Sequence, residues 1–275
     1  MSRLAFRIRP LGVGDLLDEM ISLYRRHFLL LIGIGAVLLV PLAVLQLLYQ
    51  LALFFGDYLW LVGAISLLYS VVFLVAYLAI LLATTHAVSE IYLGRRPKVR
   101  GAYAAGMRRF GGALVLSLLV SLALILMAVT IVGIPAAIYF GVSWLLAPQV
   151  LLLEDLGVRK AVGRSRALVS GSWWRVAGIG VLIFLLEAVI QMVFSLPQTI
   201  LQGVAVLSDP SGMGLAVATV LGVLIGTASQ VIAGPIWFCG LVLLYYDLRV
   251  RREGFDLELR AREMGAEADA TPVME

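Results

Sequence analysis

Long uncharged apolar stretches alternate with short basic ones in this chain, and all 21 Lys and Arg residues fall in four segments. These segments are residues 1–27, 94–110, 154–175 and 249–262, while the connections near Asp57, Gly133 and Asp209 hold no Lys or Arg. The chain is 62% hydrophobic and its mean hydropathy is +1.02, well above a soluble globular domain. An apolar run of ~20 residues is enough to cross a bilayer. The positive-inside rule then places all four basic segments, and with them both termini, in the cytosol. The pattern predicts an all-α polytopic bundle of six transmembrane helices.

The spans are expected at about 28–55, 58–92, 111–132, 135–153, 173–203 and 214–248. Residues 111–153 carry no charge; as one helix they would run about 65 Å, twice the ~30 Å hydrocarbon core. They must turn back, and Gly133-Ile134-Pro135 is the natural place, because Gly ends helices and Pro starts them. Phe55-Gly56-Asp57-Tyr58 and Leu207-Ser208-Asp209-Pro210-Ser211-Gly212 supply the other outer connections. Residues 1–250 thus form one membrane domain, and 251–275 a short cytosolic tail. The N-terminal run is too long for a signal h-region. The single Cys239 lies in an apolar run, so it reads as a small buried hydrophobe.

A short amphipathic helix is expected before the first, third and fifth spans. At 100° per residue Leu16, Met20, Leu23 and Tyr24 oppose Asp18, Glu19, Arg25 and Arg26. Val99, Tyr103, Met107 and Phe110 oppose Arg100, Arg108 and Arg109; Ala161, Ser165, Leu168 and Val169 oppose Arg159, Lys160, Arg164 and Arg166. The pattern is a threefold repeat of interfacial helix, span, turn, span. Arg25, Arg26, Arg108, Arg109, Arg159, Lys160, Arg164 and Arg166 are expected to meet anionic lipid headgroups. A basic balance of this kind beside membrane spans orients the chain and is not a nucleic-acid signal.

Three segments carry a resemblance. They are Arg9-Pro10-Leu11-Gly12-Val13-Gly14-Asp15 with Leu23-Tyr24-Arg25-Arg26-His27-Phe28, then Ala161 to Gly171 with Trp173-Trp174-Arg175, and finally Tyr245-Tyr246-Asp247-Leu248-Arg249-Val250-Arg251-Arg252-Glu253-Gly254. Together they resemble the membrane domain attached to some bacterial glycerophosphoryl diester phosphodiesterases, which also occurs alone. The resemblance implies a multi-pass helical domain of the bacterial cytoplasmic membrane with cytosolic termini. It brings no catalytic residue, since the phosphodiesterase chemistry belongs to a separate soluble barrel.

Within the spans Glu187 stands out. It falls near the middle of the fifth span with Gln191 one turn later on the same face, and Gln46 and Gln230 are candidate partners. An ionisable group in the hydrocarbon is costly and is a functional candidate by default. It either relays protons or meets a substrate, or else ties helices together as a protonated or hydrogen-bonded carboxyl. Pro148-Gln149 and Gly234-Pro235 could mark broken helices of the kind that form transport sites, although Pro kinks are ordinary in membrane helices. Gly222 and Gly226 make a small-xxx-small pair. His86 and Glu90 read as a polar helix end, because a metal site needs more ligands, and Asp15, Asp18 and Glu19 lie on a solvated face. No Walker A, HExxH or nucleotide fingerprint occurs. The expectation is a non-enzymatic membrane domain without cofactor or metal that organises lipid or a protein partner at the inner face. The alternative is a small transporter or lipid-translocating protein using Glu187 and the Pro-broken spans.

Overall fold

The computed structural model describes residues 11–55, 59–208 and 213–254. The turn at 56–58, the loop at 209–212, the tail beyond 254, and Arg3, Arg7, Arg9, Arg260 and Arg262 lie outside the described residues. Described residues form α1 (Val13–Arg26), α2 (Phe28–Phe55), α3 (Leu59–Tyr92), α4 (Val99–Met107), α5 (Phe110–Ala128), α6 (Gly133–Ser143), α7 (Ala147–Leu153), α8 (Val158–Val169), α9 (Trp173–Ser208) and α10 (Met213–Glu253). Six segments are helical, long and apolar enough to cross a membrane: α2, α3, α5, α6 with α7, α9 and α10. The chain is an all-α, multi-pass membrane bundle. Its densest packing lies at the basic end, where α10 is buried at Ile236 and from Phe238 through Leu248 by α1, α3, α9 and the short helices.

The fourth span differs from the expected single helix. It breaks at residues 144–146, where the amides of Leu145 and Ala147 donate to carbonyls only three residues back. Pro148, early in α7, has no N–H to continue the ladder and clashes with the preceding turn. Pro41, Pro197 and Pro235 lie inside continuous helices, so the break expected at Gly234-Pro235 does not form. The turn before α6 is a turn earlier than Pro135: Gly133 donates to the Thr130 carbonyl and side chain at 3.0 Å. A Cβ at Gly133 would collide with the Met127 carbonyl, so only glycine fits that close return. The last two helices outrun their expected ends, reaching Ser208 and Glu253; on α10 Tyr245 to Val250 still have a protein surface to pack on.

The three short amphipathic helices form and each docks onto protein, although on α4 the expected face is shifted: Met107 is exposed and Phe110 begins α5. Leu16, Met20 and Leu23 of α1 are fully buried against the basic half of α10; each such burial stabilises by about 1.5–3 kcal/mol relative to water. On α4 the buried positions are Ala102 and Gly106, because a Cβ at Gly106 would sit 3.0 Å from the Leu82 Cβ. On α8 they are Ala161, Ser165, Leu168 and Val169. One device recurs in all three. A hydroxyl on the docking face donates to a span carbonyl: Tyr24 to Ile232 at 2.7 Å, Tyr103 to Ile34 at 2.6 Å, and Ser165 to Ser143 at 2.9 Å. Ile232 lies in the turn that Pro235 leaves short of one amide. Burial pushes the Tyr24 phenol up to about 12.

Candidate functional site

α9 packs along α10 over most of its length. Ile183 meets Gly240, where a Cβ would lie 2.5 Å from Ile183 Cδ1, and the Gln198 amide covers Gly222 at 3.1 Å from the same kind of position. Between these contacts Ser229 donates its hydroxyl to Gln191 Oε1 at 2.5 Å. This pairing turns one face of α9 inward, and Glu187 is on that face one turn before Gln191. At 1.5 Å per residue Glu187 lies about 32 Å from Ser208 and about 21 Å from Trp173. It therefore sits in the basic half of the helix and not at its centre.

Glu187, Gln191 and Gln230 open into one cavity of about 380 Å³ between α3 and α9, with α2 and α10 behind it. The rest of its wall is largely aromatic: Phe73 and Tyr77 from α3, Phe184 from α9, Trp237 and Phe238 from α10. Tyr77 and Phe184 are 42% and 59% exposed and form an outer lip on the side of the bundle. Gly35 and Gly234 keep the back wall low. The structure thus brings Glu187, Gln191 and Gln230 together, as the sequence suggested. Gln46 does not line this cavity; it is farther along α2 from the lining residues Gly35 and Leu39. Gln198 and Gln202, overlooked in the sequence, continue the polar face of α9 beyond Gln191 and cover Gly222. Their spacing from Glu187 (4, 11 and 15 residues for Gln191, Gln198 and Gln202) was the available signal.

At the basic end the three resemblance-bearing segments converge on Asp247. Its carboxylate, fully buried, accepts the Leu11 N–H at 2.8 Å, Arg175 Nη2 at 2.9 Å and Arg251 Nε at 3.0 Å. The same two arginines donate to the Leu11 carbonyl at 2.7 and 2.5 Å. A second knot joins α7, α8 and α10: Arg164 pairs with Glu154 at 2.9 Å and with Glu253 at 2.5 Å, and Tyr245 donates to Glu154 at 3.0 Å. Partial burial acts to lower the Arg164 pKa, but its hydrogen bonds to Glu154 and Glu253 outweigh this and raise it.

The other expected residues divide. Arg25, Arg26, Arg108, Arg159, Lys160 and Arg166 are exposed, with Arg166 also over the Phe140 ring at 5.8 Å. Arg109 pairs with Asp155 and Arg164 with two glutamates, so these two are committed to protein. Glu90 pairs with Arg95 at 2.8 Å, and Asp15 accepts the Gly12 N–H at 3.2 Å as an N-terminal cap of α1. Comparison with known protein families, characterised proteins and solved structures finds no match to the chain.

Proposed function

We propose that this protein is a small, non-enzymatic membrane transporter that takes an amphiphilic organic cation into the lateral Glu187 cavity. One observation carries the reading: a carboxyl and two carboxamides converge in a 380 Å³ aromatic-walled space at the side of the bundle. Aromatic faces attract cations electrostatically, the more so when desolvated, and a carboxylate inside the same pocket completes the recognition. An apolar body can enter past Tyr77 and Phe184 at the inner edge of the bilayer. Glu187 would lose its proton as the cation binds and regain one as it leaves, which couples the two species at one atom. In the proposed orientation the basic end faces the cytosol of a bacterial cytoplasmic membrane, supported by the four basic segments. The sequence puts a scaffold ahead of transport; the cavity lends support to the transport reading.

The test is binding of tetraphenylphosphonium to the purified protein, read by fluorescence, since Trp237 lines the cavity. Binding should fall about tenfold or more in Glu187→Gln, which keeps volume and hydrogen bonding but removes the charge. Equal binding by wild type and variant, or none by wild type, rejects the reading.

A second reading is supported by the exposed Arg25, Arg26, Arg108, Arg159, Lys160 and Arg166. They would hold anionic lipid, or an acidic protein partner, at the inner face. Juxtamembrane basic residues contribute about 1 kcal/mol each on an anionic surface.

A further inference from the structure

On the other side of the α2–α3 pair lies a second cavity, of about 470 Å³, and its chemistry is different. Val37, Leu42 and Leu45 of α2 and Val72, Val75 and Ala79 of α3 are among its walls. The one polar group in the lining is the Tyr103 phenol, and its hydroxyl is already spent on the Ile34 carbonyl. The slot therefore accepts hydrocarbon. α4 closes one end with Tyr103 and Met107.

The depth of that closed end follows from helix length. Counting a ~30 Å hydrocarbon core from the far ends of α2 and α3 reaches roughly residue 35 of α2 and roughly residue 79 of α3. α4 lies at this level, with Tyr103 bonded to Ile34 and Gly106 against Leu82 and Ala83. The slot then runs down the leaflet on the basic side, and α4 overhangs it at headgroup height. Arg100 lies at the edge of the polar face of α4, within about 60° of Tyr103 on the helical wheel, and Arg108 caps the C-terminal end of the helix that Met107 closes. Both are exposed. Among the described residues neither enters an ion pair, whereas Arg95, Arg109 and Arg164 nearby are matched by carboxylates.

We propose that this groove is a discrete site for one anionic phospholipid of the inner leaflet, with an acyl chain between α2 and α3 and the phosphate on Arg100 and Arg108. The site deepens the lipid-holding reading of the basic belt and rests on it, and it is independent of the Glu187 cavity. A surface belt binds many lipids weakly; a slot under an overhanging helix binds one by both its chain and its charge.

Native mass spectrometry resolves the first lipid bound from later ones. The delipidated protein is titrated with phosphatidylglycerol and, separately, with phosphatidylcholine. Wild type should take a single phosphatidylglycerol about thirtyfold more tightly than phosphatidylcholine, as two headgroup arginines imply. Arg100→Gln with Arg108→Gln should erase that preference, and Val75→Trp, at an exposed wall position, should weaken both lipids by filling the slot. An α8 variant with Arg159, Lys160 and Arg166 changed to Gln should keep the first site and lose only later adducts. Absence of a tight first phosphatidylglycerol in wild type overturns the site. So does its loss in the α8 variant to the same degree as in the α4 pair, or its persistence in Val75→Trp. Failure of the belt reading alone would appear as later adducts unchanged in the α8 variant. Thermal unfolding of each variant, expected within a few degrees of wild type because the changed residues are exposed, excludes misfolding as the cause.

Discussion

Asp247→Ala is the substitution for which the structure makes the largest demand. The carboxylate is completely buried, and it is the common acceptor for a backbone amide and two guanidinium groups. Arg251 is 35% exposed and Arg175 is 24% exposed. Water can take over much of what Arg251 loses, so that pair counts for no more than about 1 kcal/mol. The Leu11 amide has no such recourse, and a hydrogen bond to a charged acceptor is worth about 1.5–3 kcal/mol. Arg175, whose buried Nε already lacks a partner, would keep only the Leu11 carbonyl. Removing one side of a buried ion pair costs about 3–5 kcal/mol, and the contributions together give a loss in that range. Asp247→Asn retains one acceptor oxygen and should cost roughly 1–3 kcal/mol. The assay is reversible unfolding in mixed micelles with increasing denaturing detergent, run beside limited proteolysis of the N-terminal segment. Leu11 would lose its anchor, so cleavage ahead of α1 should accelerate before the bundle unfolds. An Asp247→Ala protein within about 1 kcal/mol of wild type, with an equally protected N-terminus, would refute the clamp.

Two glycines of α4 make a matched pair: Gly106→Ala should destabilise by roughly 1–3 kcal/mol, since its Cβ would press on Leu82 and the Ala83 amide, whereas Gly101→Ala meets nothing within 4 Å and should gain up to about 1 kcal/mol by helix propensity, both read by thermal unfolding. Tyr24→Phe should cost about 1 kcal/mol by deleting the bond to Ile232 while keeping the ring; no change would mean that the hydroxyl docking device is dispensable. For orientation, in a Cys239→Ala background an impermeant thiol reagent outside intact cells should label Thr130→Cys and Asp57→Cys but not Ser170→Cys, and labelling of Ser170→Cys would reverse the orientation.

The hydrophobic and basic periodicities made the six apolar segments and the three amphipathic helices legible, because both are one-dimensional signals fixed by helix geometry. Leu16, Met20 and Leu23 were on the expected face for the same reason. What a wheel does not contain is the partner surface. On α4 it singled out Val99, Tyr103, Met107 and Phe110, yet the tightest contact falls on Gly106, since close approach to α3 selects the absence of a side chain. Glu187, Gln191 and Gln230 were legible as rare polar residues in apolar runs. Their convergence depends on the register of α9 on α10, and the placement of Gln46 elsewhere on how α2 packs, neither of which a local pattern encodes. Asp247 was hidden by its setting. Among Arg249, Arg251 and Arg252 an aspartate looks like one member of a solvated charge run. Only the return of Leu11 and Arg175 from distant sequence positions shows that it is buried.

The most direct measurement on the central claim is ethidium flux in proteoliposomes driven by an imposed pH gradient, with DNA trapped inside as the reporter, for wild type and Glu187→Gln side by side. Wild type should give gradient-dependent flux and the equally folded variant flux at the level of empty liposomes, because the variant can neither neutralise the cation nor exchange a proton. Equal flux for both proteins, or none above background with wild type, would contradict the proposal that Glu187 couples a proton to an amphiphilic cation.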